Sequence, residues 1–152
     1  MKIKVKKLCK EAVLPTIGSP FAAGADLYSA EKEEITVKPG ETKFIGTGIA
    51  TEIPEGYVGL VFARSGLACK RDLAPANKVG VIDSDYRGEI KVAIHNHGTE
   101  ARTIEKGERI AQMVIVPYLT AEYEEAEELS ETVRGEGGFG STGRQEQRCA
   151  AE

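Results

Sequence analysis

The chain is 152 residues long, 41% hydrophobic and 29% charged, with a net charge of -4. One domain with a sizeable core is expected, and this much hydrophobic residue excludes wholesale disorder. No apolar run approaches the ~18 residues of a membrane helix, so no membrane partner is expected, and a pI of about 5.4 speaks against nucleic acid as a general partner.

The N-terminal MKIKVKKLCKEAVL is basic but has neither a long apolar stretch nor a small-residue cleavage site, so the expected compartment is the cytoplasm. Residues 2–7 alternate, with Ile3 and Val5 on one face, which predicts a strand. Further strands are expected over residues 35–37, 42–49, 57–62, 90–96 and 109–118, each rich in Val, Ile, Thr, Tyr or Phe. Lys38-Pro39-Gly40, Pro54-Glu55-Gly56 and Lys106-Gly107 separate them as turns. Short strands with such punctuation, and 17 glycines, point to an all-β sandwich or barrel. One short helix is expected over residues 65–72, with Ser65 able to cap it.

The C-terminal part differs. Residues 121–131 (AEYEEAEELSE) carry six Glu and no base, and the rest of the chain sums to +2. Residues 121–130 form either a short helical piece or a solvated connector. Residues 135–143 (GEGGFGSTG) hold five glycines and have no core to contribute. They are either a flexible tail or an arm that orders on a ligand, and residues 144–152 are a polar end without a motif. The expected organisation is a β-barrel core over 1–120, an acidic connector over 121–133, and an arm and tail over 134–152.

Five patches could carry chemistry. Residues 23–29 (AGADLYS) place small residues around Asp26, which is a turn Asp or a functional one. Ala63-Arg64-Ser65-Gly66 joins a strand to the helix. It is a phosphate cradle, or an N-cap beside a surface Arg. Asp83-Ser84-Asp85 lies between Val81-Ile82 and Tyr86 and looks like a hairpin. Its Asp residues cap backbone groups, or one serves as general base or metal-shell ligand. Gln112, polar in an apolar strand, should hydrogen-bond something. The Gly-rich segment offers backbone N–H groups, Arg134, Ser141, Thr142 and the lone ring of Phe139, a set suited to a lid over a phosphorylated ligand. Its formal G-x-G-x-x-G lacks the strand, helix and following acidic residue of a dinucleotide site. Cys9, Cys69 and Cys149 are widely spaced and read as free thiols. His95 and His97 could face one way on a strand, but no third metal ligand is apparent nearby.

Taken together, these patches resemble the all-β trimeric dUTP pyrophosphatases. The likeness rests on AGADLYSA (23–30), RSGLA (64–68), NKVGVIDSDYRGEI (77–90), GERIAQMVI (107–115) and RGEGGFGSTG (134–143), in that order along nearly the whole chain. The resemblance implies a single-domain β-barrel or jelly-roll-like fold with one short helix and a flexible Gly-rich C-terminal arm. It implies hydrolysis of dUTP to dUMP and pyrophosphate, which keeps uracil out of DNA and supplies dUMP for thymidylate synthesis. It also implies Mg²⁺ held mainly by the triphosphate and water, and a homotrimer whose sites are shared between subunits.

By the same resemblance Asp83 is the base that activates water for attack on the α-phosphorus. Asn77, the backbone around Gly80, Val81 and Ile82, and Lys91 match a uracil-reading hairpin. Tyr86 matches the residue packed beneath deoxyribose, leaving no room for a 2′-OH. Arg64, Ser65, Gly66 and Gln112 match phosphate contacts, and Arg134 and Ser141 fit the γ-phosphate contacts of the arm. Phe139, followed by Gly140, matches the ring that stacks on uracil. Asp26 matches a position that supports the metal's water shell or the Arg network, without being a direct ligand. Two rivals are a dCTP deaminase on the same fold and a non-enzymatic nucleotide-sensing trimer.

Overall fold

The computed structural model describes residues 1–138. The chain divides into two units, Met1–Thr120 and Ala121–Glu152. In chain order the first contains β1 (Lys4–Lys7), β2 (Thr16–Ile17), β3 (Ala25–Tyr28), β4 (Ile35–Val37), β5 (Thr42–Gly46), β6 (Ile49–Glu52) and β7 (Tyr57–Phe62). The helix α1 (Ser65–Arg71) follows, then β8 (Leu73–Pro75), β9 (Gly80–Ile82), β10 (Lys91–Asn96), β11 (Arg102–Ile104) and β12 (Arg109–Pro117). Short strands joined by turns are what the alternating sequence requires, and an all-β, jelly-roll-like architecture accommodates them.

The strands form four sheets: β2-β3-β12-β7-β9, β5-β10-β8, β1-β6 and β11-β4. All ladders are antiparallel. Inward-facing aliphatic side chains meet in one cluster that includes Leu27, Val37, Ile45, Ile94, Ile104 and Ile110, each almost wholly buried. Among the described residues no helix is long and apolar enough to cross a membrane.

Several expectations need correcting. Residues 42–49 are two strands, not one. Gly48 adopts φ +64°, and the chain turns there so that β5 joins β10 while β6 joins β1. Ser65 does not cap α1. The cap position falls on Arg64, in extended conformation and without a side-chain cap bond, and Ser65 is already helical. The other end is better secured, by Lys70 and Arg71 in the last turn and by Asp72 in the left-handed region at φ 57°. Residues 80–90 do not form a hairpin ladder: β9 pairs with β7, whereas β10 lies between β5 and β8.

In the second unit, residues 121–138 contain neither strand nor helix, so the helical alternative for 121–130 is not adopted. Helical spacing would set Glu124 beside Glu127 and Glu128, like charges with no opposing base. Tyr123 and Leu129 are exposed. Around Arg134 the backbone turns: Gly135 N–H donates to the Thr132 carbonyl at 3.0 Å and Arg134 Nε donates to the Gly137 carbonyl at 2.7 Å.

Candidate active site

One cluster of polar side chains is set by the register of β12. A bulge between Arg109 and Ala111 shifts its pairing, after which Gln112 stands opposite Asp26 of β3 on one side and Phe62 of β7 on the other. Arg64 lies two residues beyond Phe62, so the ladder brings Asp26, Gln112 and Arg64 to one place. Arg64 Nε donates to Asp26 Oδ1 at 2.8 Å, and Arg109 donates to Oδ2 at 3.1 Å. With its side chain only 13% exposed, Asp26 holds two guanidiniums with one carboxylate. Such charge-assisted bonds fix the directions of both bases. Gln112 Nε2 donates to the Ala63 carbonyl at 2.9 Å, which is the partner its position demanded. Gly24 leaves room for that amide, since a Cβ there would come within 2.8 Å of Gln112 Oε1. Ser65 and Gly66 follow Arg64 and are exposed.

A second constellation surrounds a cavity of about 550 Å³. Asn77 and the β9 residues Gly80, Val81 and Ile82 line one part of it. Asp83, directly after β9, lines another part with Tyr86, and Lys91 at the start of β10 completes the set foreseen from sequence. Because β9 is the edge of its sheet, its outer backbone N–H and C=O groups are left for a ligand. Asp83 also borders a second cavity, of about 770 Å³, with Lys2, Lys4, Glu52 and Arg87 among its lining residues. None of Arg64, Ser65, Gly66 or Gln112 lines either cavity.

The loop carrying Asp83 is tied down at its far end. Thr47 Oγ1 donates to the Ile90 carbonyl at 2.5 Å, Ile90 N–H donates to the Ile49 carbonyl at 2.9 Å, and Glu89 Oε1 accepts Gly48 N–H at 3.0 Å. Tyr86 is positioned within the loop: its hydroxyl donates to the Glu89 carbonyl at 2.9 Å and its N–H to the Asp83 carbonyl at 3.2 Å.

A model of the dUTPase family matches residues 10–143. The deoxyuridine 5'-triphosphate nucleotidohydrolase of Nautilia profundicola is 56% identical over 144 residues, 95% of this chain and all of that one. The chain belongs to the dUTPase family. The solved dUTPase of Staphylococcus bacteriophage 80alpha with dUPNHPP superposes with a TM-score of 0.87 at 37% identity, covering 94% of this chain and 99% of that one. A variant dUTPase from phage phi11 of S. aureus, described for its coordination of a structural Mg(II) ion, gives a TM-score of 0.77 at 30% identity, covering 84% and 98%.

In this dUTPase-family chain, sequence reasoning missed Phe44, Glu89 and Ile90 in the cavity and Arg109 on Asp26. Phe44 had a signal: of two adjacent apolar residues in a strand one must face outward, and Phe44, 71% exposed beside buried Ile45, is that one. Arg109 carried no comparable signal, because its reach to Asp26 follows from the bulge. The His95 and His97 rings lie 4.4 Å apart, and His95 Nδ1 pairs with Thr42 Oγ1 at 2.9 Å. Partial desolvation lowers the His97 pKa, aided by Lys78 and His95 and opposed by Asp72. Cys9 and Cys69 are free. Cys149 and the expected arm residues Phe139, Gly140 and Ser141 lie outside the described residues.

Proposed function

We propose that this chain hydrolyses dUTP to dUMP and pyrophosphate, in the cytoplasm, as a homotrimer. The observation that carries the reading is the convergence of Asn77, edge strand β9, Asp83, Tyr86 and Lys91 on one cavity within a dUTPase-family fold. The backbone of β9 reads uracil as a pairing partner would, leaving cytosine mismatched. Tyr86 packs beneath deoxyribose. Asp83 takes a proton from water as the water oxygen bonds to the α-phosphorus. The bond from that phosphorus to the bridging oxygen breaks, and pyrophosphate leaves.

A triphosphate brings a charge of about -4, and its repulsion of an anionic base and nucleophile must be offset. Arg64, Ser65, Gly66 and Gln112 take this role, with Arg134 and Ser141 on the γ-phosphate and Phe139 and Gly140 over the base. Asp26 serves it by aiming Arg64 and Arg109. Among the described residues no three His, Cys, Asp or Glu side chains converge as a metal site, and both Asp26 oxygens already carry guanidiniums. That donor set fits Mg²⁺ carried by the triphosphate and water, where the ion would lower phosphate charge.

The separation of the Arg64–Gln112 cluster from the Asp83 cavity supports a site completed between chains. The division into core 1–120, connector 121–133 and arm 134–152 fits the same scheme, with the arm reaching a neighbouring subunit. Incubation with dUTP and with dCTP, following pyrophosphate and ammonia, tests the function. Pyrophosphate from dUTP is expected, ammonia from dCTP would favour a deaminase, and neither product would favour a nucleotide sensor.

A further inference from the structure

The cavity wall formed by Tyr86 is itself seated on a glycine. A Cβ built on Gly88 would lie 2.5 Å from Tyr86 Cζ and 2.9 Å from Cε2, and closer still to the hydroxyl oxygen. The three nearest heavy atoms all belong to this ring. Gly88 is not among the glycines with positive φ, so the backbone does not require glycine there. What favours it is the hydroxyl end of the Tyr86 ring, which lies against the position where a side chain would stand.

The seat has a second side. The Tyr86 hydroxyl donates to the Glu89 carbonyl at 2.9 Å, and the Glu89 carboxylate is anchored on Gly48 N–H at 3.0 Å and lies 3.4 Å from Lys91 Nζ. That carboxylate also fills the space over Gly46, where a Cβ would meet Glu89 Oε1 at 2.6 Å. The ring is therefore held from the β5–β6 connection through Glu89, and its closeness to the backbone is set by the missing side chain at 88. A ring that is 44% exposed would otherwise sample other rotamers.

We infer that Gly88 is a positioning residue for sugar selection: it seats Tyr86 at the depth that admits deoxyribose and refuses ribose. This rests on the function proposed above. Exclusion by bulk depends on where the bulk stands, and a misplaced wall loses selectivity even when the wall residue is intact.

The test is Gly88→Ala, with kcat and KM measured for dUTP and UTP. The dUTP/UTP ratio of kcat/KM is expected to fall at least about tenfold, with the change in dUTP concentrated in KM because Asp83 is not displaced. In a Tyr86→Ala background, adding Gly88→Ala should leave the ratio where Tyr86→Ala put it. An unchanged ratio in Gly88→Ala, or an equal further fall in the Tyr86→Ala background, overturns the inference. A nucleotide-free readout separates it from the functional reading. With 3-fluorotyrosine at the five tyrosines, the fluorine resonance lost in Tyr86→Phe should shift in Gly88→Ala. If that resonance stays in place, the seat does not exist. If it shifts while the wild-type protein leaves dUTP intact, the seat stands and the dUTPase reading fails.

Discussion

Asp83 stands just past the last residue of β9, exposed, where two cavities meet. A carboxylate there can face water from one cavity and a nucleotide in the other. Asp83→Asn preserves shape but cannot accept the proton, so kcat should fall by about 10²–10⁴ while a non-hydrolysable dUTP analogue still binds. A kcat close to wild type would pass the role to Asp85 or Asp26. Asp26 makes a contrasting case. Its carboxylate is occupied by Arg64 and Arg109, so Asp26→Asn should act by loosening those bases. A charge-assisted bond contributes about 1.5–3 kcal/mol, so a loss of roughly tenfold or more in kcat/KM is expected. That loss should be the same at low and high Mg²⁺. Recovery with added Mg²⁺ would instead place Asp26 in the metal's water shell.

At the scale of elements, the segment His95-Asn96-His97 drew attention for its rings, yet the residue between them holds the structure. Asn96 is fully buried and donates to the Val37 and Glu100 carbonyls at 2.9 and 2.8 Å, while its Oδ1 accepts Gly98 N–H at 2.9 Å. Asn96→Leu strands all three groups and should cost about 2–5 kcal/mol in urea unfolding. A loss under about 1 kcal/mol would mean water replaces the amide. Alternation made β7 and β10 legible, because one face of each is buried, and the three-residue β4 was legible from its β-branched Ile-Thr-Val composition. The division of residues 42–49 was not legible, since it turns on a positive φ at Gly48 and on partners in different sheets. The two-residue strand β2 and the short β8 and β11 carry too few positions for a period to register. β3 was noticed only as small residues around Asp26, and its place beside β12 is what gives Asp26 its partners. The candidate site residues were named one by one through the family's motifs. The bulge that recruits Arg109, and the anchoring of Ile90 by Thr47, depend on contacts between segments distant in sequence.

For the molecule as a whole, the proposal places Asp83 and the arm that closes over it on different chains. Two inactive variants test this: Asp83→Asn with its arm, and a chain ending at Glu131 with Asp83 intact. Dissociated together and reassembled at equal amounts, they should regain roughly one quarter of sites in a closed cyclic assembly. Hybrids confirmed by mass but no more active than the parents would refute sharing. The six Glu in 121–131 and the lack of helix or strand over 121–138 are compatible with that proposal. The central claim is chemical, that water activated at Asp83 attacks the α-phosphorus of dUTP, and one measurement addresses it directly. A single turnover in ¹⁸O-labelled water, followed by mass analysis of both products, should place the label in dUMP and leave pyrophosphate unlabelled. Label in pyrophosphate, with dUMP unlabelled, would put the attack on the β-phosphorus and contradict the account.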